Sequence, residues 1–439
     1  MQSFSRRRFA VACGLAAACV RLAFVSAAIA RDAEHMSDAR ASIRAEEAGR
    51  HVHALADDAF EGREGGSRGG RAAGAYIVAA LERLAVTPAG DDGTFFQGFG
   101  GMRNILAVVP GRDPAVAHEL VVVGAHYDHV GYGNARNSYG PTGFIHNGAD
   151  DNASGVAGLL ELAEAIGHLP SPPRRPILIA FWDGEEKGLL GSYHFLRVRP
   201  ARLASSTLVF SVNLDMIGRL RGERLEVFGA RSAEGLRMAC VEANAATRLE
   251  LVFDWEITDD SDHYPFIAAR IPTVMFHTGL HDQYHRPSDD THLVNVSGME
   301  PVTRLVLDFV TAVADDPGPP RGFRDDCRRE SPATRRALEA PAAEMVTVGS
   351  RPRWGVGVRS DPGEPRAPVV VRVSPGSPMA VAGVQLGDRI VAVDGQPLVD
   401  QQDMLAKLAA AGDRVAIDAE RRGRIVRIEA NSSAAASKP

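Results

Sequence analysis

Continuous apolar runs recur along most of the chain, and each ends on a polar or acidic residue. Residues 119–124, 176–181, 207–214 and 271–276 have the length and Val/Ile/Leu content of strands buried on both faces. Residues 104–109 are another such run, closed by Pro110-Gly111. Residues 36–49, 52–60, 72–84, 156–166 and 302–314 carry helical patterns. Strands alternating with helices predict an α/β fold. The glycine-rich stretch 61–70 lacks the Lys-Ser/Thr ending of a phosphate-binding loop and follows no core strand, so it reads as a plain connection.

Beyond residue 315 the pattern changes. Asp316-Pro317-Gly318-Pro319-Pro320-Arg321 has the composition of a linker, and residues 316–349 are charged, alanine-rich and expected to be loosely packed. A small β-rich module is expected over 350–430, with strands near 369–373, 389–393 and 414–419. Residues 431–439 are expected to be disordered. This division implies a main domain, residues 31–315, that folds without residues 350–430.

The N-terminus reads as an export signal over residues 1–30. Ser5-Arg6-Arg7-Arg8-Phe9 opens it, an apolar run follows, and Ala28-Ile29-Ala30 supplies a small-x-small cleavage site. Arg21 interrupts the run, which makes it a poor transmembrane helix, and no stable membrane span is expected in the mature chain. The arginine pair before Phe9 resembles a twin-arginine signal of bacteria; an ordinary secretory signal with a basic start is the alternative. Either route predicts a periplasmic or secreted protein. Hydrophobic residues make up 45% of the chain and charged residues 24%, as in soluble globular proteins. A formal net charge of -6 with no long basic run after the leader gives no support for a nucleic-acid partner. Of four cysteines, Cys240 and Cys327 lie outside the leader, too few for a disulfide framework.

The ends of the apolar runs carry the chemistry. The run at 119–124 delivers His126-Tyr127-Asp128, where a carboxylate beside an imidazole can fix the tautomer of a metal ligand. Ala149-Asp150-Asp151-Asn152-Ala153-Ser154-Gly155 opens a helical stretch. Capping explains one such acid or serine, not the run of them. Asp183-Gly184-Glu185-Glu186 follows the run at 176–181, and Asp215 follows the run at 207–214. An acid so placed is expensive to bury without a partner. His281, Tyr284, His285 and Asp289 follow the run at 271–276. His126, Asp151, Glu186, Asp215 and His285 are therefore candidate ligands. Five exceed what one four-coordinate zinc needs, and they suit two metals if one carboxylate bridges; Asp151, on its loop, is the natural bridge. Nitrogen and oxygen ligands without thiolate fit zinc best, with cobalt or manganese as alternatives.

The motifs Gly124-Ala125-His126-Tyr127-Asp128, Gly148 to Gly155, Asp183 to Glu186, Asn213-Leu214-Asp215-Met216 and Tyr284 to Asp289 together resemble the two-zinc aminopeptidase family that also contains the glutamate carboxypeptidases. The resemblance spans roughly residues 50–315. It implies a mixed central sheet sandwiched by helices, with His126 and Asp215 on one zinc, Glu186 and His285 on the other, and Asp151 bridging. It implies Glu185 as general base, Tyr284 at the oxyanion, and Asp128 and Asp289 as orienting groups behind the ligands. The expected activity is that of an exported aminopeptidase acting on peptides. The alternatives are a carboxypeptidase-type member, an aminoacyl transferase like the glutaminyl cyclases, and a non-catalytic peptide-binding scaffold. The later module, through Trp354-Gly355-Val356-Gly357-Val358, Ser374-Pro375-Gly376 and Gly387-Asp388-Arg389-Ile390, resembles a bacterial PDZ domain. That implies capture of a peptide or C-terminus at a sheet edge, unless the module is only a spacer.

Overall fold

The computed structural model describes residues 36–84, 86–342 and 353–433. The expected export signal, residues 343–349 of the expected linker and residues 434–439 lie outside the described residues. The apolar runs form the centre of a mixed sheet. β1 (Thr87–Pro88), β2 (Phe96–Phe99), β3 (Met102–Val109), β4 (Glu119–His126), β5 (Ile177–Trp182), β6 (Thr207–Leu214), β7 (Arg224–Phe228), β8 (Glu250–Phe253) and β9 (Thr273–His277) take part. Their order is β1-β3-β5-β4-β6-β9-β7-β8, with β2 paired to β3. The neighbours β5, β4, β6 and β9 run parallel, while β3 and β7 pair antiparallel with β5 and β9. The sheet is thus mixed, as the resemblance implies.

Alternation along each strand explains the layers. Val121, Val123, Ile177, Ile179 and Phe181 point to one face, where the helices Gly155–Gly167 and Val296–Asp315 pack. Leu120, Val122, Leu178, Ala180 and Trp182 point to the other, against Phe195 and Phe266. Both faces are covered, so the strands read as unbroken apolar runs. Parallel neighbours share a direction. Their carboxyl ends therefore lie along one rim, and this puts His126, the residues after Trp182, Asp215 and the residues after His277 together.

A second, antiparallel sheet follows, in the order β10 (Val356–Arg359), β11 (Val369–Val373), β12 (Arg389–Val393), β14 (Arg414–Arg421), β15 (Arg424–Asn431), with β13 (Gln396–Pro397) on β12. It has its own core around Trp354, Val370, Met379, Ile390 and Ile417. Asn431, expected in a disordered tail, closes β15.

The stretch expected to be a loose linker is packed where it is described. Arg175 donates to the carbonyls of Asp316 at 2.5 Å and Gly318 at 2.8 Å. Cys327 is buried, and both Cys327 and Cys240 are free thiols. The helix Pro332–Glu339 follows. Glu330 pairs with Arg231 and Arg324, each at 2.6 Å. The second sheet is seated on the first domain. Arg231 binds Asp361 at 2.7 Å, Arg237 binds Glu420 at 2.9 Å, and Arg389 meets Asp361 at 2.7 Å. The turn between β14 and β15 covers the edge strand β8, with the Arg422 carbonyl accepting from Leu251 N–H at 3.1 Å. Proline and charge mark this stretch as a linker by composition; ion pairs and backbone bonds to distant residues make it a seam.

Candidate metal centre

His126 is the last residue of β4 and is buried. Its Nδ1 lies 3.1 Å from the backbone carbonyl of Asp128. A carbonyl oxygen only accepts, so Nδ1 carries the hydrogen and Nε2 is aimed at the centre. Nε2 lies 3.3 Å from Asp151 Oδ1 and 3.5 Å from Asp215 Oδ1. On the far side, His285 Nε2 lies 3.1 Å from Asp151 Oδ2 and 3.2 Å from Glu186 Oε2. Asp151 thus presents one oxygen to His126 and the other to His285. The structure brings all five candidate ligands into one cluster.

Their carboxylates are held by specific donors. Asp215 Oδ2 accepts from the Ser261 hydroxyl at 2.6 Å, and that hydroxyl accepts from Asn213 at 2.8 Å. Asp215 Oδ1 is buried without a hydrogen-bond partner among the described residues. Asp289 Oδ2 accepts from the N–H groups of Asp150 and Asp151, both at 3.0 Å. Asp289 therefore fixes the loop that carries Asp151. Asp128 differs from the expectation for its side chain. Its backbone carbonyl holds His126, while Oδ1 accepts from Glu185 N–H at 3.1 Å and stays 3.8 Å from His126 Nδ1. The carboxylate positions the Glu185 turn instead. Glu185 lies close to His126 and Asp215, and Tyr284 stacks on His285 with ring centroids 4.0 Å apart.

The charges respond to one another. Burial disfavours a charged His126, but Glu185, Asp215 and Asp151 outweigh it and hold the imidazole protonated well above its usual range. Burial also opposes the His285 charge, yet Asp151 and Glu186 push it up to about 11. Burial and Asp151 act to raise Glu186, but His129 and His285 bring it down to about 2. Burial pushes Glu185 well above the usual carboxylate range. Crowded acids here draw protons onto imidazoles as counter-charge. Imidazole nitrogen, carboxylate oxygen, no thiolate, an orphaned Asp215 oxygen and a two-faced Asp151 form a donor set that fits zinc.

Two residues of this centre carry no role in the sequence reading. His129 is fully buried, and its Nδ1 donates to Glu186 Oε1 at 2.7 Å. Its signal was a second imidazole directly after His-Tyr-Asp. Arg63 comes from the glycine-rich stretch read as a plain connection. It is buried, and it donates to the carbonyls of Tyr127 at 2.9 Å, Leu55 at 2.7 Å, Asn147 at 2.6 Å and Gly148 at 2.9 Å. It ties the His126 and Asp151 loops from below. At Gly62, with φ of +67°, a Cβ would come within 2.5 Å of the His146 carbonyl, so the loop packs too tightly for a side chain there.

A cavity of about 420 Å³ opens beside this cluster, lined in part by His126, Asp151, Glu185, Asp215 and Tyr284. No helix among the described residues is long and apolar enough to cross a membrane.

Comparison with known proteins places these features in context. Residues 104–310 match the model described as Peptidase family M28, and residues 369–421 match that of a PDZ domain. Aminopeptidase YwaD of Bacillus subtilis is 29% identical over 198 residues, covering 43% of this chain and 40% of that protein. Leupeptin-inactivating enzyme 1 of Streptomyces exfoliatus is 28% identical over 169 residues, covering 38% and 34%. The chain thus spans two fifths or less of the length of these curated relatives. The solved LapA aminopeptidase of Legionella pneumophila superposes with a TM-score of 0.54 at 20% identity, covering 64% of this chain and 75% of that one. A zinc aminopeptidase from Bacillus subtilis gives 0.50 at 16% identity, covering 65% and 99%. These structures share the fold.

Proposed function

Because residues 104–310 match the model of peptidase family M28 and residues 369–421 that of a PDZ domain, we propose that the chain is a zinc-dependent exopeptidase that removes N-terminal residues from peptides. The observation that carries this is the position of Asp151, with one oxygen 3.3 Å from His126 and the other 3.1 Å from His285. A carboxylate so placed suits two ions. In this reading His126 and Asp215 would hold one zinc, Glu186 and His285 would hold the other, and Asp151 would serve both. When bound, the pair would supply Lewis acidity toward the scissile carbonyl and would bring the pKa of water down to about 7.

The protein groups divide the remaining work. Glu185 receives the proton of the attacking water and passes it to the leaving amine. The Asp128 carboxylate holds the Glu185 backbone and so sets the direction of that side chain. The Tyr284 hydroxyl, beside His285, hydrogen-bonds the oxyanion as charge develops. Ser261 binds Oδ2 of Asp215 and leaves Oδ1 for the ion.

Export belongs to the same proposal, because an arginine-led signal precedes the domain. Changing Arg6 and Arg7 together to Lys should block twin-arginine export; unchanged export would point to the general secretory route. The PDZ-like module is proposed to take an extended peptide at the edge of β10, which pairs only with β11 among the described residues. The central test is metal analysis with substrate polarity. Purified protein should contain about two zinc ions per chain, lose activity on chelation, and cleave aminoacyl-anilides but not N-blocked peptides. Full activity with one ion per chain would overturn the bimetallic reading. Cleavage of N-blocked peptides alone would overturn the aminopeptidase reading.

A further inference from the structure

The cavity beside the metal centre has two kinds of wall. Met216 and Met275 are buried on its inner side, with Phe228 half-buried beside them. Its outer part carries Asp254, Glu256 and Asp260, the last two exposed. None of these three acids forms an ion pair among the described residues. Glu226 also lines the cavity, and it pairs with Arg224 at 3.2 Å. The cavity is continuous with the metal centre, because His126, Asp151, Glu185, Asp215 and Tyr284 also line it. His277 lines it and is only 8% exposed. Its Nδ1 accepts from Gly279 N–H at 2.8 Å and lies 3.9 Å from Glu226 Oε2.

We propose that this cavity receives the side chain of the substrate's N-terminal residue and selects lysine or arginine. The proposal rests on the aminopeptidase reading. A lysine or arginine side chain has an apolar stem and a charged head. The stem matches the Met216–Met275 wall, and the head reaches the carboxylates of Asp254, Glu256 and Asp260. A leucine side chain uses only the apolar part. A glutamate side chain brings a like charge to unpaired acids. Acids of one sign in a walled cleft also focus the field and raise the local concentration of cationic substrate, an effect that salt weakens.

The test uses the full-length, zinc-loaded protein and a panel of Lys, Arg, Leu and Glu p-nitroanilides. The Lys and Arg substrates should exceed Leu roughly 10-fold in kcat/KM at low salt, and added salt should narrow the gap. Glu256 and Asp260 are exposed, so the double variant Glu256→Gln/Asp260→Asn should fold normally. It should lose about 5-fold on Lys and Arg and change Leu by less than about 2-fold. Calorimetric titration with free L-arginine and L-leucine gives a second readout: L-arginine should bind more tightly to the wild type, and the double variant should erase the difference. A preference for Leu, or an equal loss on Leu and Lys in the double variant, overturns this proposal and leaves the aminopeptidase reading standing. Cleavage of N-blocked peptides alone overturns both.

Discussion

The centre around Asp151 and the seam around Arg231 are both built from charged side chains withdrawn from water, and they differ in how the charge is balanced. At the seam, Arg231, Arg237, Arg324 and Arg389 face Glu330, Asp361, Glu364 and Glu420, and most of them pair at 2.6–2.9 Å. Cations and acids match in number there without any added ion, and the unpartnered atoms, Arg389 Nε and Nη2, belong to a cation and not to an acid. At the centre, Asp151, Glu185, Glu186 and Asp215 crowd against imidazoles, which are neutral unless protonated. Asp215 Oδ1, Asp128 Oδ2 and His129 Nε2 have no hydrogen-bond partner among the described residues. Burying an ion costs several kcal/mol, and only good pairing offsets it. A cluster that pairs itself is structural. One with surplus acid is complete only when a cation arrives.

Breaking each cluster in turn should separate the two kinds. The largest effect is expected at the centre. Glu185→Gln should keep both metals by elemental analysis and lose turnover by about 10²–10⁴-fold, the usual cost of a missing general base. Wild-type turnover would move the base elsewhere. Glu186→Gln should instead lower metal content. At the seam, Glu420→Gln leaves Arg237 without its buried partner and should cost about 3–5 kcal/mol in chemical denaturation. Turnover per folded molecule should barely change. The apolar pair Arg237→Met/Glu420→Leu should recover much of the loss, because neither charge then remains buried. Cutting the chain after residue 340 should destabilise the first domain as well, since β8 loses its cover and Arg237 its partner. A truncated chain as stable as the whole would show that the seam is only contact.

Much of the fold and of the centre was legible because both are written locally. Strands covered on both faces read as apolar runs, and the chain places residues of the cluster at their ends: His126, Asp215 and the Glu185-Glu186 pair. Asp151 and His285 were legible from acids and imidazoles clustered in loops where capping alone would not require them. The seam was not legible. Arg231 meets Asp361 and Arg237 meets Glu420 across 130 and 183 residues of sequence. No periodicity marks such pairs, and surface arginines look the same. Pro317 to Pro320 had a linker's composition, whereas Arg174 and Arg175 on the carbonyls of Asp316 and Gly318 show that the segment is pinned. Arg63 was hidden for a related reason. Its glycine-rich setting suggested a plain loop, whereas the glycines let the backbone approach closely enough for Arg63 to reach four carbonyls.

A weaker break in the seam follows from pH. Burial raises the Glu364 carboxyl to about 7, against the pull of Arg389 and the Arg237 N–H, which donates to it at 2.7 Å. The folded state therefore holds this proton more tightly than the unfolded chain does. Its contribution is fully present below the unfolded value of about 4.5 and is lost as pH rises through about 7, by about 2–3 kcal/mol. Denaturation curves at pH 5 and pH 8.5 should show this loss, and Glu364→Gln should show less of it. An unchanged difference in the variant would assign the slope to other groups.

The smallest expected effect sharpens the comparison at its boundary, where one residue could belong to either kind of cluster. His129 is buried like a ligand, yet its Nδ1 donates to Glu186 Oε1 at 2.7 Å, so it acts on the centre through Glu186. Holding Oε1 leaves Oε2, 3.2 Å from His285, for the ion. Loss of such an orienting partner typically lowers metal affinity 10–100-fold. His129→Ala should therefore weaken one of the two sites by about that factor in competition with a chelator, and leave the other unchanged. Asn places a donor nitrogen near the position of Nδ1, so His129→Asn should restore most of the affinity if donation is the role. If Asn is as poor as Ala, the imidazole is itself a ligand, and the centre has one more nitrogen than the sequence implied. If both variants bind two ions as tightly as the wild type, His129 belongs with the structural charges, and the orphaned oxygen of Asp215 becomes the better guide to where the centre ends.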